Sequence, residues 1–108
     1  LILGVTFKHD CPDMRNTKVV DIIEELKDLG VNVDVYDPWV VHADESKWYR
    51  HGIINNPLEK NKKYDAIVVA VSHKQFKSYT TNDYEQLSSG EKVIIDIKNI
   101  VDSPTWRL

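Results

Sequence analysis

The chain has 108 residues, 42% of them hydrophobic and 29% charged, with a formal net charge of −3. That length supports one domain with a modest core, and an acidic balance with no basic face argues against nucleic acid as the main partner. The longest apolar runs, Ala66 to Val71 and Val93 to Ile95, are far too short to span a bilayer, and the single cysteine, Cys11, excludes an internal disulfide and fits a reducing compartment.

The chain starts at Leu1, directly in an apolar run, with neither a methionine nor a signal peptide. It reads as one domain, residues 1–108, cut from a longer polypeptide. Leu1 to Phe7 is the first strand. The polar stretch that follows, Lys8 to Lys18, carries Lys8, Arg15 and Lys18 between the end of that strand and the start of a helix. In an open α/β sheet, ligands bind in the crevice beyond the carboxyl ends of the strands. A helix N-terminus adds unpaired N–H groups and partial positive charge, both favourable to phosphate. No Gly-x-Gly-x-x-Gly joins this strand to this helix, and the loop has no glycine after Gly4. A dinucleotide pyrophosphate therefore cannot approach the backbone in the usual way. An anion bound here is held by the side chains of Lys8 and Arg15.

A helix is predicted over Thr17 to Leu29, with Val19, Val20, Ile22, Ile23, Leu26 and Leu29 on one stripe. Gly30 ends it as a residue that tolerates positive φ. Val31 to Tyr36 alternates apolar and polar residues as a second strand, so the chain opens as strand, helix, strand, a right-handed parallel crossover. Asp37-Pro38-Trp39 stops the second strand. Ala43 to His51 is predicted as a short helix, Gly52-Ile53-Ile54 as an edge strand, and Lys60, Lys62 and Lys63 as a solvated face. Ala66 to Val71 has the continuous apolar character of a central parallel strand covered on both faces. Ser72-His73-Lys74-Gln75 has the form of a capping box and predicts a helix carrying Phe76 inward. Asn82-Asp83-Tyr84-Glu85 repeats the signal before a helix ending around Ser88 to Gly90. Lys92 to Asp96 is the last clear strand. Alternating strands and helices make this a three-layer, Rossmann-like α/β domain with a mostly parallel sheet.

For Lys8 and Arg15 two readings stand side by side: phosphate ligands, or surface charges paired with Asp10 and Asp13. Lys98, which follows Asp96 at the end of the last strand, either reaches the same crevice or faces solvent. Cys11 precedes Pro12 and has only His9 nearby, so it reads as structural. Asp37 sits where an acid binds a ribose hydroxyl, but without the glycine fingerprint it reads as a structural cap in an Asp-Pro turn. His73 reads as a first-turn helix residue. The four histidines have no metal-ligand spacing, so no metal is expected. Trp39 and Trp48 read as packing residues.

Taken together, Gly4-Val5-Thr6-Phe7-Lys8, Cys11-Pro12-Asp13, Arg15-Asn16-Thr17-Lys18-Val19, Val35-Tyr36-Asp37-Pro38-Trp39 and Tyr64-Asp65-Ala66 with Ala70-Val71-Ser72-His73 and Phe76 resemble the C-terminal UDP-binding domain of the UDP-glucose/GDP-mannose dehydrogenases. The resemblance covers almost the whole chain, in order. The Cys-Pro-Asp-x-Arg-Asn and Asp-Pro-Trp forms look most like the branch that oxidises UDP-N-acetylhexosamines to uronic acids for polysaccharide biosynthesis. The resemblance implies an NAD-dependent cytoplasmic enzyme, a homodimer or larger, with an N-terminal NAD-binding domain and a central domain bearing the catalytic cysteine. NAD is then bound outside this domain, which has no catalytic residue of its own and is inactive alone. The resemblance also implies that Phe7, Lys8 and Arg15 contact the UDP part of a UDP-sugar. Some members carry an arginine after Asp-Gly near the C-terminus; here the run is Asp96-Ile97-Lys98-Asn99, and Lys98 is its substitute. Two other classes compete. A response-regulator receiver needs paired acids after the first strand and an acceptor aspartate after the third, which Lys8-His9-Asp10 and Ile54-Asn55-Asn56 do not supply. A degenerate assembly domain binds no nucleotide.

Overall fold

The computed structural model describes residues 1–6, 9–10, 18–40 and 53–107. Its elements, in chain order, are β1 (Ile2–Leu3), α1 (Val19–Asp28), β2 (Val35–Tyr36), β3 (Ile67–Val69), α2 (Lys74–Lys77), α3 (Thr81–Leu87), β4 (Ile94–Asp96) and β5 (Trp106–Arg107). The five strands form one parallel sheet in the order β2-β1-β3-β4-β5. β1 and β3 are central, with β2 and β4 on either side of them, and the central place of β3 is the one expected from its continuous apolar run. Ile53 adds a parallel bridge to Val35 at the outer edge of β2, where the short edge strand was expected.

Alternation along the strands sends side chains to two faces, and both are covered. Leu3, Tyr36, Ile67, Val69 and Ile94 pack with Phe76, Tyr84 and Leu87 of α2 and α3. Ile2, Val35, Ala70 and Val71 pack with Val19 and Ile23 of α1. The result is the three-layer α/β arrangement expected. Each wholly buried Ile, Leu or Phe in these layers contributes about 1.5–3 kcal/mol relative to exposure.

β1 stops at Gly4 for a steric reason. Gly4 has φ +96°, and a Cβ there would lie 2.5 Å from Cβ of Val71. Only glycine lets the chain turn while β1 and the exit from β3 pass this closely. The end of α1 is equally local in origin. Gly30 has φ +84°; its N–H donates to Lys27 O, and the Val31 N–H donates to Leu26 O. That pair of bonds satisfies the last carbonyls of the helix.

Several expected boundaries need correction. The second strand is limited to Val35–Tyr36; Val31 and Asn32 are exposed. The Ser72-to-Gln75 capping box does not form: α2 starts at Lys74 with His73 as N-cap and no side-chain cap from that residue. The capping box of α3 lies two residues before the one expected, with the Thr80 hydroxyl accepting from the Asp83 N–H and the Asp83 carboxylate accepting from the Thr80 N–H. β5 was not anticipated; it is two exposed residues long and docks where the Thr105 N–H donates to Ile94 O. The helix expected over Ala43 to His51 lies outside the described residues.

Candidate functional site

The strand order fixes where a crevice must open. From β1 the chain crosses to β2 on one side, then returns past β1 to β3 on the other. The carboxyl ends of β1 and β3 therefore flank the point where the winding direction changes, the usual ligand position in open α/β sheets. Thr6 follows β1 there, His73 follows β3, and Asp37 follows β2.

These three residues form one buried polar cluster, with Thr6 1% exposed and Asp37 and His73 wholly buried. One carboxylate oxygen of Asp37, Oδ2, accepts the backbone N–H groups of Val5 at 2.8 Å and Thr6 at 3.2 Å. The other, Oδ1, accepts the Trp39 N–H at 2.8 Å. His73 Nε2 lies 2.8 Å from Asp37 Oδ2 and 3.1 Å from Thr6 Oγ1. His73 Nδ1 accepts the backbone N–H of Asp10 at 2.8 Å. A backbone N–H can only donate, so Nδ1 is the unprotonated ring nitrogen, and Nε2 carries the proton toward Asp37. Each partner thus offsets the cost of burying the others.

The chain of bonds continues outward. Asp10, at φ +53°, accepts the Lys74 N–H on Oδ1 at 2.8 Å and so serves the first turn of α2 that the Ser72 hydroxyl leaves unserved. Its carboxyl is held below the usual range, first by that N–H, then by the nearby His9 and the Trp39 indole. Trp39 is 44% exposed, its ring centroid 6.3 Å from that of His73. It borders an open cavity of about 740 Å³ lined also by Asp10, Pro38, Lys74, Gln75 and Ser78. Trp39, expected as a packing residue, packs only in part: its ring neighbours that of His73, yet the residue stays exposed beside the cavity.

The expected site residues divide by what the structure describes. Phe7, Lys8, Arg15 and Cys11 lie outside the described residues. By sequence, Lys8 falls between Thr6 and Asp10, the two residues that His73 ties together. Lys98 is exposed in the loop after β4, at the same edge of the sheet and one strand beyond β3. That loop is folded by a second wholly buried carboxylate, Asp96, which accepts the N–H groups of Ile100 at 3.2 Å and Val101 at 2.8 Å. Asp37 is the cap expected, since its bond to Trp39 spans two residues, but it also gathers β1 and His73. His73 is the N-cap of α2 rather than a first-turn residue, and its ring is buried and bonded to Asp37, 36 residues away.

By sequence, the β1–α1 junction lacks the glycines that let a dinucleotide pyrophosphate approach the backbone. Residues 5–18 contain no glycine, and the space beside Gly4 is taken by Val71 rather than open to a ligand. Among the described residues no three His, Cys, Asp or Glu side chains gather as a metal site, and no helix is long and apolar enough to cross a membrane. What the described residues offer chemically is a buried, hydrogen-bonded polar rim at the carboxyl edge of the sheet, with the exposed Lys98 at that same edge.

A parallel sheet covered on both faces, with its polar cluster at the winding switch, defines a three-layer, Rossmann-like α/β domain. The chain belongs to the UDP-glucose/GDP-mannose dehydrogenase family and matches its UDP binding domain over residues 1–103. It is 41% identical over 102 residues to UDP-N-acetyl-D-glucosamine 6-dehydrogenase of Pseudomonas aeruginosa, covering 94% of this chain and 24% of that protein. It is 39% identical over 114 residues to Protein CapL of Staphylococcus aureus, covering 99% of this chain and 26% of that one. Among solved structures it resembles NDP-N-acetyl-D-galactosaminuronic acid dehydrogenase from Methanosarcina mazei, with a TM-score of 0.77 and 29% identity over 94% of this chain and 20% of that one. The chain therefore spans about a quarter of the length of the curated relatives it matches.

Proposed function

We propose that this domain supplies the diphosphate-binding side chains of a UDP-sugar site in a larger NAD-dependent dehydrogenase. That enzyme oxidises the C6 alcohol of a UDP-N-acetylhexosamine to the uronic acid, in the cytoplasm, for polysaccharide biosynthesis. The single observation that carries the reading is the buried Thr6–Asp37–His73 cluster at the winding switch, which fixes the exit of β1 two residues before Lys8. The family match and the names of the relatives support the UDP-sugar and the N-acetylhexosamine. Phe7, Lys8 and Arg15 contact the UDP part, with Lys98 approaching from the next loop. NAD is held by a separate N-terminal domain, the nucleophilic cysteine belongs to a central one, and the full enzyme is a homodimer or larger. Here the chain binds and orients; the chemistry is done elsewhere.

A lysine acts on phosphate as a compact point charge. A hydrogen bond to a charged group contributes about 1.5–3 kcal/mol, which corresponds to roughly one to two orders of magnitude in affinity. In the full-length enzyme Lys8→Ala is expected to raise KM for the UDP-sugar by that factor and to leave KM for NAD nearly unchanged. Normal UDP-sugar binding, or an equal loss of NAD affinity, overturns the assignment.

A further inference from the structure

We propose that His73 is a positioning residue for the diphosphate site, setting where the loop between Thr6 and Asp10 presents Lys8. The inference rests on the reading of Lys8 given above and extends it to a residue that never touches the ligand.

His73 is wholly buried, yet both ring nitrogens are engaged in opposite senses. Nε2 donates toward the carboxylate that already pins Val5 and Thr6, and Nδ1 accepts from the Asp10 backbone. One flat ring therefore spans the two ends of a five-residue segment, Thr6 to Asp10, whose middle residue is Lys8. Asp10 is staked a second time by its bond to the Lys74 N–H. The connected groups run from the ends of β1 and β2, through the residue after β3, to the first turn of α2. Burial alone does not call for a histidine here. An apolar ring of similar size fills the space without the desolvation cost that a buried imidazole and carboxylate carry. What only the imidazole supplies is a donor on one side and an acceptor on the other, at a fixed separation. A charge-assisted hydrogen bond weakens steeply once its distance and angle depart from the favoured range, so a device that fixes both ends of the loop has a direct effect on affinity.

The test uses the full-length enzyme and two substitutions that divide the ring's duties. His73→Asn keeps an acceptor near the Nδ1 position for the Asp10 N–H; His73→Gln moves the amide toward Nε2 and loses that acceptor. His73→Gln is expected to raise KM for the UDP-sugar about tenfold, with kcat and KM for NAD within about twofold of wild type. His73→Asn is expected to restore most of that loss. In a Lys8→Ala background His73→Gln is expected to raise KM no further, because the group it positions is gone.

A purely structural role predicts loss of stability in both variants with no selective change in KM, and that result overturns the proposal. So does a full tenfold effect that persists without Lys8. If Lys8→Ala itself leaves KM at the wild-type value, the parent reading of the site fails, and this inference falls with it. If Lys8→Ala acts and His73→Gln does not, only this inference fails. Should His73→Gln not fold, Thr6→Val removes the hydroxyl 3.1 Å from Nε2 at nearly constant volume. A selective rise of about threefold then supports the proposal, and an unchanged KM overturns it.

Discussion

β2 is two residues long and has an aspartate at each end, Asp34 just before Val35 and Asp37 just after Tyr36. Asp37, at the carboxyl edge of the sheet, is wholly buried and accepts three backbone N–H groups and an imidazole. Asp34, at the amino edge, is partly open to solvent and holds two side chains, the Lys62 ammonium at 2.9 Å and the Tyr64 hydroxyl at 2.8 Å. The same residue type, three positions apart, thus does two different things. Asp37 organises the backbone leaving two strands and the imidazole that follows a third, whereas Asp34 joins a lysine and a tyrosine over the rim of an open cavity of about 650 Å³. The difference follows from strand polarity. Parallel strands send their loops out at the carboxyl edge, and a carboxylate there meets the N–H groups of chains that have just left the sheet.

The strongest test of the contrast is to remove each carboxylate in turn. Asp37→Ala strands the N–H groups of Val5, Thr6 and Trp39 and leaves His73 without its carboxylate. Breaking a buried, hydrogen-bonded pair from one side costs about 3–5 kcal/mol. Urea unfolding is expected to show a loss in that range, with Asp37→Asn near half of it because the amide keeps one acceptor. A loss below about 1 kcal/mol, the level expected of the Asp34 pair, abolishes the distinction between the two edges.

Next in size is Gly4→Ala, which sharpens the comparison at the carboxyl edge without touching a charge. The added methyl meets Val71 at 2.5 Å and places a non-glycine residue at φ +96°. Overpacking costs about 1–3 kcal/mol and the unfavourable backbone about 1–3 more. The expected result is a destabilisation of about 2–6 kcal/mol in the same assay. Gly30→Ala isolates the backbone part, since nothing lies within 4 Å of its added Cβ. A Gly4→Ala cost no larger than that of Gly30→Ala shows that the close approach to Val71 is not what ends β1.

What could be read in the sequence follows the range of the interactions involved. The run Ala66 to Val71 marks β3 because a strand covered on both faces needs apolar residues at every position. The stripe from Val19 to Leu26 and the turn at Gly30 are written within one helix, and α1 lies where they put it. The Asp37–Trp39 turn is likewise local. The rest of the site is not. Asp37 meets Val5 and Thr6 across 32 and 31 residues, and His73 reaches Asp10 across 63. No spacing within a window of a dozen residues encodes such contacts, which is why Ser72 to Gln75 reads as a capping box and folds otherwise. The strand that leads to Thr6 was legible; the His73 ring that links Thr6 to Asp10 was not. The one signal for it was a His three residues before an inward-facing Phe76, with an Asp-Pro turn at the end of β2. β5 escaped because two exposed residues carry no periodicity at all.

The smallest effects belong to the amino edge, where pH separates them by sign. Asp34 is pushed up by burial, but bonds from Lys62 and Tyr64 outweigh that and leave its carboxyl below the ordinary 3.8. Burial, and then the bond to Asp34, push the Tyr64 phenol above its ordinary 10.0. A carboxyl lowered in the folded state contributes stability that is present above its unfolded pKa and lost as pH falls through the folded one. A phenol raised in the folded state contributes stability that is full below its unfolded pKa and lost as pH rises toward the folded one. The pair is therefore expected to be silent across neutral pH and to add one loss below pH 3.8 and another above pH 10.0. Lys62 is about half exposed, so solvent screens it and Lys62→Ala costs no more than about 1 kcal/mol. The gap in stability between wild type and Lys62→Ala should stay constant from about pH 5 to 8 and close as Asp34 protonates. A gap that instead persists undiminished to about pH 2 means that Lys62 stabilises through the packing of its stem rather than through Asp34.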